Sequence, residues 1–373
     1  MKKLITLATA VAILASFALA KEVKIGLVMP MSGPIGAFGQ YADKGLELIN
    51  EMVPTLENGD AIKLVLVDNK SDKIESANGM QRLISRENVS AVIGALTSTN
   101  TMAITRLADD NKIPMVAPVA TNVLVTKNRS FVSRACFNDS FQGVVAANYL
   151  YKDLGMKSAA IIVDSKSDYS IGLSNAFKKA YTALGGKILR KAIVTAGDSD
   201  FKGILSNLKA LDPQVVYIPL YSKEAVLIIT QAAQLGFTPK FMGSDGLAAD
   251  QIFFDVGKSA INGTSNTDLF SPDAPATTAT SQAFFDAYKK KYGEKVHPFA
   301  ALSADAYLMI VEGMNQCGGA DDKVCVNKEI RSLKNFQAAT GVISIDENGD
   351  AIRSAVVNTV KDGALVFTKT VNP

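Results

Sequence analysis

The sequence predicts an α/β protein of two similar halves, each a parallel β-sheet covered by helices on both faces. Strand-length apolar runs alternate with helically spaced stretches from residue 23 to residue 243, the pattern of repeated βαβ units. The alternation starts afresh near Ser140, and the two halves echo each other. In the first, a strand ends at Gly94, a polar turn follows, and a helix runs to Asn111, with Pro114 three residues on. In the second, a strand ends near Ile218 and a helix runs to Gly236, with Pro239 again three residues on. Asn and Gly suit the left-handed residue after a helix, and Pro prevents its continuation. The 373 residues suffice for two or three domains at about 150 residues each.

Residues 23–29 read as a buried opening strand. Gly33, Gly36 and Gly39 make a turn, and a helical pattern runs on to about Val53. A second strand covers 62–68, and Ile74, Ala77, Met80, Leu83 and Ile84 keep helical spacing. Strand 91–94, helix 98–111 and strand 115–119 complete the first half. The second half reads as a helix to Asp153, strand 159–164, helix 169–184, strand 188–194, helix 201–210, strand 215–218, helix 223–235 and strand 240–243. After Asp268 the composition shifts. A Pro-containing loop at 271–275 precedes helices at 278–292 and 300–316. Strands follow at 341–345, 355–360 and 365–368, with a turn at Asp346, Glu347, Asn348 and Gly349.

Residues 1–20 read as an export signal. Lys2 and Lys3 precede an apolar stretch from Leu4 to Phe17, and Ala18, Leu19 and Ala20 form a small-x-small cleavage site. The apolar stretch is short of the ~20 residues a membrane helix needs. Cleavage after Ala20 predicts a periplasmic, unanchored protein. In an oxidising compartment Cys317 and Cys325 are expected to form a disulfide around Gly318 and Gly319, leaving Cys136 as a small buried hydrophobe.

Composition excludes several functions. Without Lys2 and Lys3, the 39 basic residues become 37, against 36 acidic, so nothing points to nucleic acid or an anionic membrane. The single histidine, His297, rules out a multi-His metal site, and three cysteines cannot build a four-cysteine zinc site. No metal or cofactor is expected, and His297, next to Pro298, reads as structural. Gly33, Gly36 and Gly39 are spaced G-x-x-G-x-x-G, which is not the dinucleotide fingerprint. Asp68, at the end of the second strand, is the ribose partner such a site would need. There is no G-x-S-x-G for a hydrolase.

The remaining candidates cluster after strands. Thr97, Ser98, Thr99, Asn100 and Thr101 open a helix directly after a strand. Hydroxyls there serve as caps, and the same free N–H groups, with the positive end of the helix dipole, bind a carboxylate. Pro118, Val119, Ala120 and Thr121 follow the next strand, at the side of the sheet where ligands sit. Asp245, between Ser244 and Gly246, is either a turn former or a carboxylate for an ammonium group. Tyr169 and Tyr221 also follow strands.

These segments carry a resemblance. From Glu22 to near the C terminus the chain resembles periplasmic amino-acid-binding proteins of branched-chain ABC transporters, the leucine/isoleucine/valine-binding proteins. The matching segments are 31–34, 92–94, 118–121, 164–169, 241–246 and 346–350, in order and over almost the whole mature chain. The resemblance implies a type I periplasmic-binding-protein fold: two Rossmann-like lobes with parallel sheets, joined by three crossing segments near 134–138, 267–271 and 346–350. The lobes would comprise 21–136 with 270–347, and 137–269 with 348–373, and would close on a ligand by hinge motion. Ser98 matches the family's carboxylate-binding hydroxyl, and Ala120 and Thr121 its contacts to the ligand's α-groups. Tyr169 and Tyr221 match aromatics of the second lobe, and Asp245 an acidic residue, commonly Glu, that holds the α-ammonium. Phe38 stands where Tyr is common, Phe299 falls at a pocket aromatic, and Leu96 would line the side-chain pocket. The cysteine pair of those relatives falls on Ser71 and Thr97, so that disulfide is absent.

The implied function is capture of an aliphatic L-amino acid by a monomer that delivers it to the membrane permease subunits of an ABC transporter. It is not an enzyme. The alternatives are presentation of the ligand to a chemoreceptor, or the same fold holding another amino acid, urea, a short amide or an aromatic acid. Asp245 argues for an ammonium and against neutral amides.

Overall fold

The computed structural model describes residues 20–373. The export signal read at residues 1–20 thus lies, but for Ala20, outside the described residues. The chain opens with β1 (Glu22–Met29), α1 (Gly36–Met52), β2 (Ala61–Asp68), α2 (Lys73–Ser85), β3 (Ala91–Gly94), α3 (Ser98–Asp110), β4 (Met115–Ala117) and β5 (Val132–Arg134). Their strands form one parallel sheet in the order β2-β1-β3-β4-β5. β1, β3 and β4 are near-continuous buried runs, as expected of strands covered on both faces.

The second unit follows with α4 (Asp139–Asn148), β6 (Ser158–Asp164), α5 (Asp168–Ala183), β7 (Lys187–Val194), α6 (Lys202–Leu211), β8 (Val215–Tyr217), α7 (Ser222–Gln234), β9 (Lys240–Gly243), α8 (Ile252–Gly257) and β10 (Ser265–Asp268). Its parallel strands run β7-β6-β8-β9-β10, the same winding as the first sheet. The sequence echo between the halves is therefore an echo of topology. Each sheet reverses its winding beside its first strand, which opens a crevice at the carboxyl ends of the strands.

The chain then returns with α9 (Ala279–Tyr292), α10 (Pro298–Gln316), α11 (Lys323–Ser332), β11 (Phe336–Ala338), β12 (Gly341–Ile345) and β13 (Ala351–Ile352). It ends in β14 (Ala355–Lys361) and β15 (Ala364–Val371), which extend the second sheet in antiparallel fashion from β10. α10 packs on α1, and Gly45 permits the close approach: a Cβ there would lie 2.1 Å from the Ala300 carbonyl oxygen. Caps fit the sequence. Asp72 accepts from the N–H groups of Ile74 and Glu75, Thr278 from Ser281, and His297 Nδ1 from Phe299 just after Pro298 opens α10.

Three segments pass between the two sheets: after β5, after β10, and between β12 and β14. β13 still pairs with β12, through Ser344 with Ile352, so the third passage meets the second sheet only at Ala355. Sequence periodicity missed α11, whose three apolar residues beyond Cys325 are Val324, Val326 and Ile330. It also missed the three-residue strands β5 and β11. Cys317 and Cys325 are bonded, at the end of α10 and within α11, while Cys136 is a buried free thiol pushed up to about 12 by desolvation.

Candidate ligand-binding site

The residues singled out in the sequence lie just past strand ends that face the crevice. Ser98 opens α3 after β3, and Ala120 and Thr121 follow β4. Tyr169, Tyr221 and Asp245 follow β6, β8 and β9.

The first lobe supplies hydroxyls and a helix start. Thr97 is the N-cap residue of α3, but its side chain makes no capping bond. Thr101 Oγ1 instead accepts from the Ala95 N–H at 2.9 Å. Ser98 Oγ accepts from the Asn122 N–H at 3.1 Å, so its single proton remains free to donate. Thr121 is wholly buried; its Oγ1 makes no hydrogen bond of good geometry, and its nearest acceptor is the Asp139 carboxyl, whose ionised form it favours. Two hydroxyl donors beside the positive end of a helix dipole form a site for a carboxylate.

The second lobe supplies a carboxylate. Asp245 is 5% exposed. Its Oδ1 accepts from Tyr169 Oη at 2.8 Å and from Gln142 Nε2 at 2.8 Å. Gln142 also donates to Thr267 Oγ1 at 3.0 Å. Tyr169 Oη further accepts from the Gly246 N–H at 3.1 Å and bonds Ser244. Burial pushes Asp245 up to about 6 and the neighbouring Asp139 up to about 7. Asp268, also buried, is raised by desolvation and then by the charge of Asp245. Salt bridges of the described residues include no cation on any of these three carboxylates. Such a site is poised for a cation from outside.

The lobes touch around this site. The Asp168 N–H donates to Thr99 Oγ1 at 3.1 Å, and Asn122 Nδ2 donates to the Asp168 carbonyl at 2.7 Å. Phe38 of α1 meets Tyr221 edge-on, with ring centroids 5.5 Å apart, and Phe299 of α10 at 5.0 Å. Tyr221 stacks on Tyr169 at 5.2 Å. Aromatic surface from both lobes thus flanks the charged groups.

A cavity of about 250 Å³ lies beside Asp245. Both lobes line it, with Tyr41, His297 and Phe299 on one side and Asp245, Phe254 and Asp268 on the other. His297 stacks on Tyr41 at 3.9 Å, and burial holds it neutral down to about 3. It is structural, as the sequence reading had it. Asp68 is likewise consumed by structure: its carboxylate accepts from the N–H groups of Met31, Ser32 and Lys70 and from Ser32 Oγ. A ribose would find no free oxygen there.

The structure therefore brings Ser98 and Thr121 together, and Tyr169, Tyr221 and Asp245 together, with Phe38 and Phe299 between. Ala120 packs its side chain in the apolar core of the first lobe, and its carbonyl accepts from Arg134 Nη1 at 2.9 Å. Leu96 is 1% exposed, at φ +65°, and packs in the core cluster with Phe38. Like Ser98, Thr121, Tyr169, Tyr221 and Phe38, it lies outside the cavity that Asp245 and Phe299 line. Gln142, Asp139, Asn122 and Asp268 were not legible as site residues. Gln142 and Asp139 sit at a helix start, Asp268 at the end of β10 and Asn122 in the loop after β4, with no spacing that distinguishes any of them from a cap or turn residue.

Residues 22–364 match the family described as periplasmic binding protein. The chain belongs to the periplasmic binding protein family. This binding protein is 30% identical over 353 residues to the Leu/Ile/Val-binding protein BraC3 of Rhizobium johnstonii, covering 92% of this chain and 93% of the relative. It shares a TM-score of 0.91 and 42% identity with a leucine binding protein, LivK, of Thermotoga maritima, over 94% of this chain and 99% of that one. It is also similar to LivJ of Streptococcus pneumoniae, a branched-chain amino acid transporter substrate binding protein solved with isoleucine. There the TM-score is 0.87 and the identity 29%, over 95% of this chain and all of that one. The fold class and family read from the sequence agree with these likenesses. No helix of the described residues is long and apolar enough to cross a membrane.

Proposed function

We propose that this protein captures an aliphatic L-amino acid, with the branched-chain ones foremost, between its lobes in the periplasm and hands it to the permease of an ABC importer. The observation that carries the reading is the pairing of two complementary half-sites on facing strand ends. Ser98 offers a hydroxyl proton at a helix start, and Thr121 a second hydroxyl from the loop after β4. Asp245 offers a buried carboxylate without a counter-ion, held by Tyr169 and Gln142. An α-carboxylate suits the first and an α-ammonium the second. A zwitterion between them bridges the lobes, so binding favours the closed arrangement. The names of the relatives support the choice of aliphatic side chain and of a transporter as destination. Phe38 and Phe299, which carry no hydroxyl, suit an apolar side chain.

A calorimetric screen of the twenty amino acids, with urea, acetamide and benzoate beside them, tests the reading. Leucine, isoleucine or valine should bind tightly, and urea and acetamide should not bind. Preference for benzoate or a neutral amide would overturn it.

A further inference from the structure

The geometry points to Arg134 as the residue that aims the carboxylate-binding loop, acting from the hinge rather than by touching the ligand. This rests on the functional reading above and adds the device that orients one end of the grip. Arg134 is the last residue of β5, at the start of the first crossing segment, and its side chain is fully buried. Its guanidinium carries five N–H donors in a rigid planar fork. Nη1 donates to the carbonyls of Ala120 at 2.9 Å and Asn122 at 3.0 Å. Nη2 donates to Thr126 Oγ1 at 2.6 Å, and Nε to Asp350 Oδ1 at 2.6 Å.

The two carbonyls bracket Thr121. In a trans peptide the N–H points opposite to the C=O. Holding the Ala120 carbonyl on the guanidinium therefore turns the Thr121 N–H away from Arg134. The peptide on the other side of Thr121 is held by the Asp139 N–H, which donates to the Thr121 carbonyl at 2.8 Å, and by the Asn122 N–H on Ser98 Oγ; the clamp on the Asn122 carbonyl holds the peptide after that. The Thr121 hydroxyl makes no hydrogen bond of good geometry and lies against the Asp139 carboxyl, so a ligand carboxylate has only that one acceptor to displace.

The far end of the clamp is the hinge. Asp350 lies in the third crossing segment and also accepts from Thr126 Oγ1 at 2.6 Å and from Asn138 Nδ2 at 2.8 Å. Asn138 caps α4, the first helix of the second lobe. The Arg134 N–H itself donates to the Gly349 carbonyl at 2.8 Å. One guanidinium thus references the carboxylate loop to two of the three crossings. Lysine keeps the charge but not the fork, and cannot hold both carbonyls, Thr126 and Asp350 together.

The test is calorimetry of L-leucine and L-leucinamide with the parent protein, Arg134→Lys and Asp350→Asn. The amide keeps the ammonium and the side chain and lacks the carboxylate. The parent should prefer the acid. Arg134→Lys should weaken leucine binding about ten- to a hundredfold and leucinamide much less, so that the acid-to-amide ratio narrows. Asp350→Asn, which keeps the shape, should narrow the ratio less. Amide exchange at 121–123 should quicken in free Arg134→Lys. A variant that loses thermal stability but keeps the full acid-to-amide ratio overturns the inference alone. A parent protein that binds neither compound overturns the functional reading, and this inference with it.

Discussion

Tyr169 and Gln142 both place their hydrogen bonds on the same oxygen of Asp245, Oδ1, each at 2.8 Å. One comes from α5 and the other from α4, so two helices fix the orientation of one carboxylate. Asp245 also lines the cavity of about 250 Å³ between the lobes. A carboxylate held this way keeps one orientation, which is what a partner charge needs.

Asp245→Asn keeps the volume and removes the charge. The ligand ammonium would then be buried without a counter-ion. Losing one partner of a buried charged pair costs roughly 2–5 kcal/mol, or about thirtyfold to several-thousandfold in affinity. Calorimetry with the best amino acid should show a loss in that range. Binding within threefold of the parent would mean that Asp245 is only a turn residue.

Ser98→Ala should cost less, roughly 1–3 kcal/mol, because the N–H groups at the start of α3 remain. Part of that loss falls on the loop, since Ser98 Oγ also accepts from the Asn122 N–H. The variant should therefore bind more weakly than the parent but more tightly than Asp245→Asn.

Affinity should depend on pH through Asp245. Burial raises this acid from 3.8 to about 6 in the free protein, so below that pH it is protonated and neutral. An ammonium ligand needs it ionised, and binding there must release the proton. Affinity should fall as pH drops through about 6, approaching tenfold per unit. His297, held to about 3 by burial, does not titrate in this window, but the neighbouring Asp139, raised to about 7, and Asp268, also raised, couple to Asp245 and steepen the fall. In Asp245→Asn the slope near pH 6 should flatten; an unchanged slope would assign it to another group.

Arg353 ties the three crossings in the way Arg134 ties the loop. Its Nη1 donates to the Ala135 carbonyl at 3.0 Å and pairs with Asp305 Oδ2 at 3.2 Å, and its Nη2 reaches the Leu269 carbonyl at 3.3 Å. Asp305 is fully buried. Arg353→Met should leave that carboxylate without its ion pair and destabilise the protein by about 3–5 kcal/mol, read as a lowered denaturation midpoint without ligand. A midpoint within experimental error of the parent would show that the pair is dispensable.

Thiol counting on denatured, non-reduced protein exported to the periplasm should find one free thiol, Cys136. The Cys317–Cys325 bond lies at the junction of α10 and α11, away from the residues of the grip. Its reduction should therefore change ligand affinity little. Three thiols in the exported protein would show that the bond does not form there.

The sequence alone determined the alternation of strands and helices, the likeness of the two halves, and the composition of both ends of the grip. Those features are local. Apolar period distinguishes strand from helix, and residues that follow a strand in a parallel α/β unit are bound to lie at the ligand-bearing edge. Hence the placement of Ser98, Thr121, Tyr169 and Asp245 just past strand ends was legible in advance. Tertiary structure alone decided which polar residues support them. Gln142 reaches Asp245 across 103 positions of sequence, and Arg134 reaches Asp350 across 216. Contacts so remote leave no periodicity. They exist because buried polar groups must find partners wherever the packed lobes bring one within reach. The same packing sets Leu96, given a pocket role by the family resemblance, beside Phe38 in one apolar cluster.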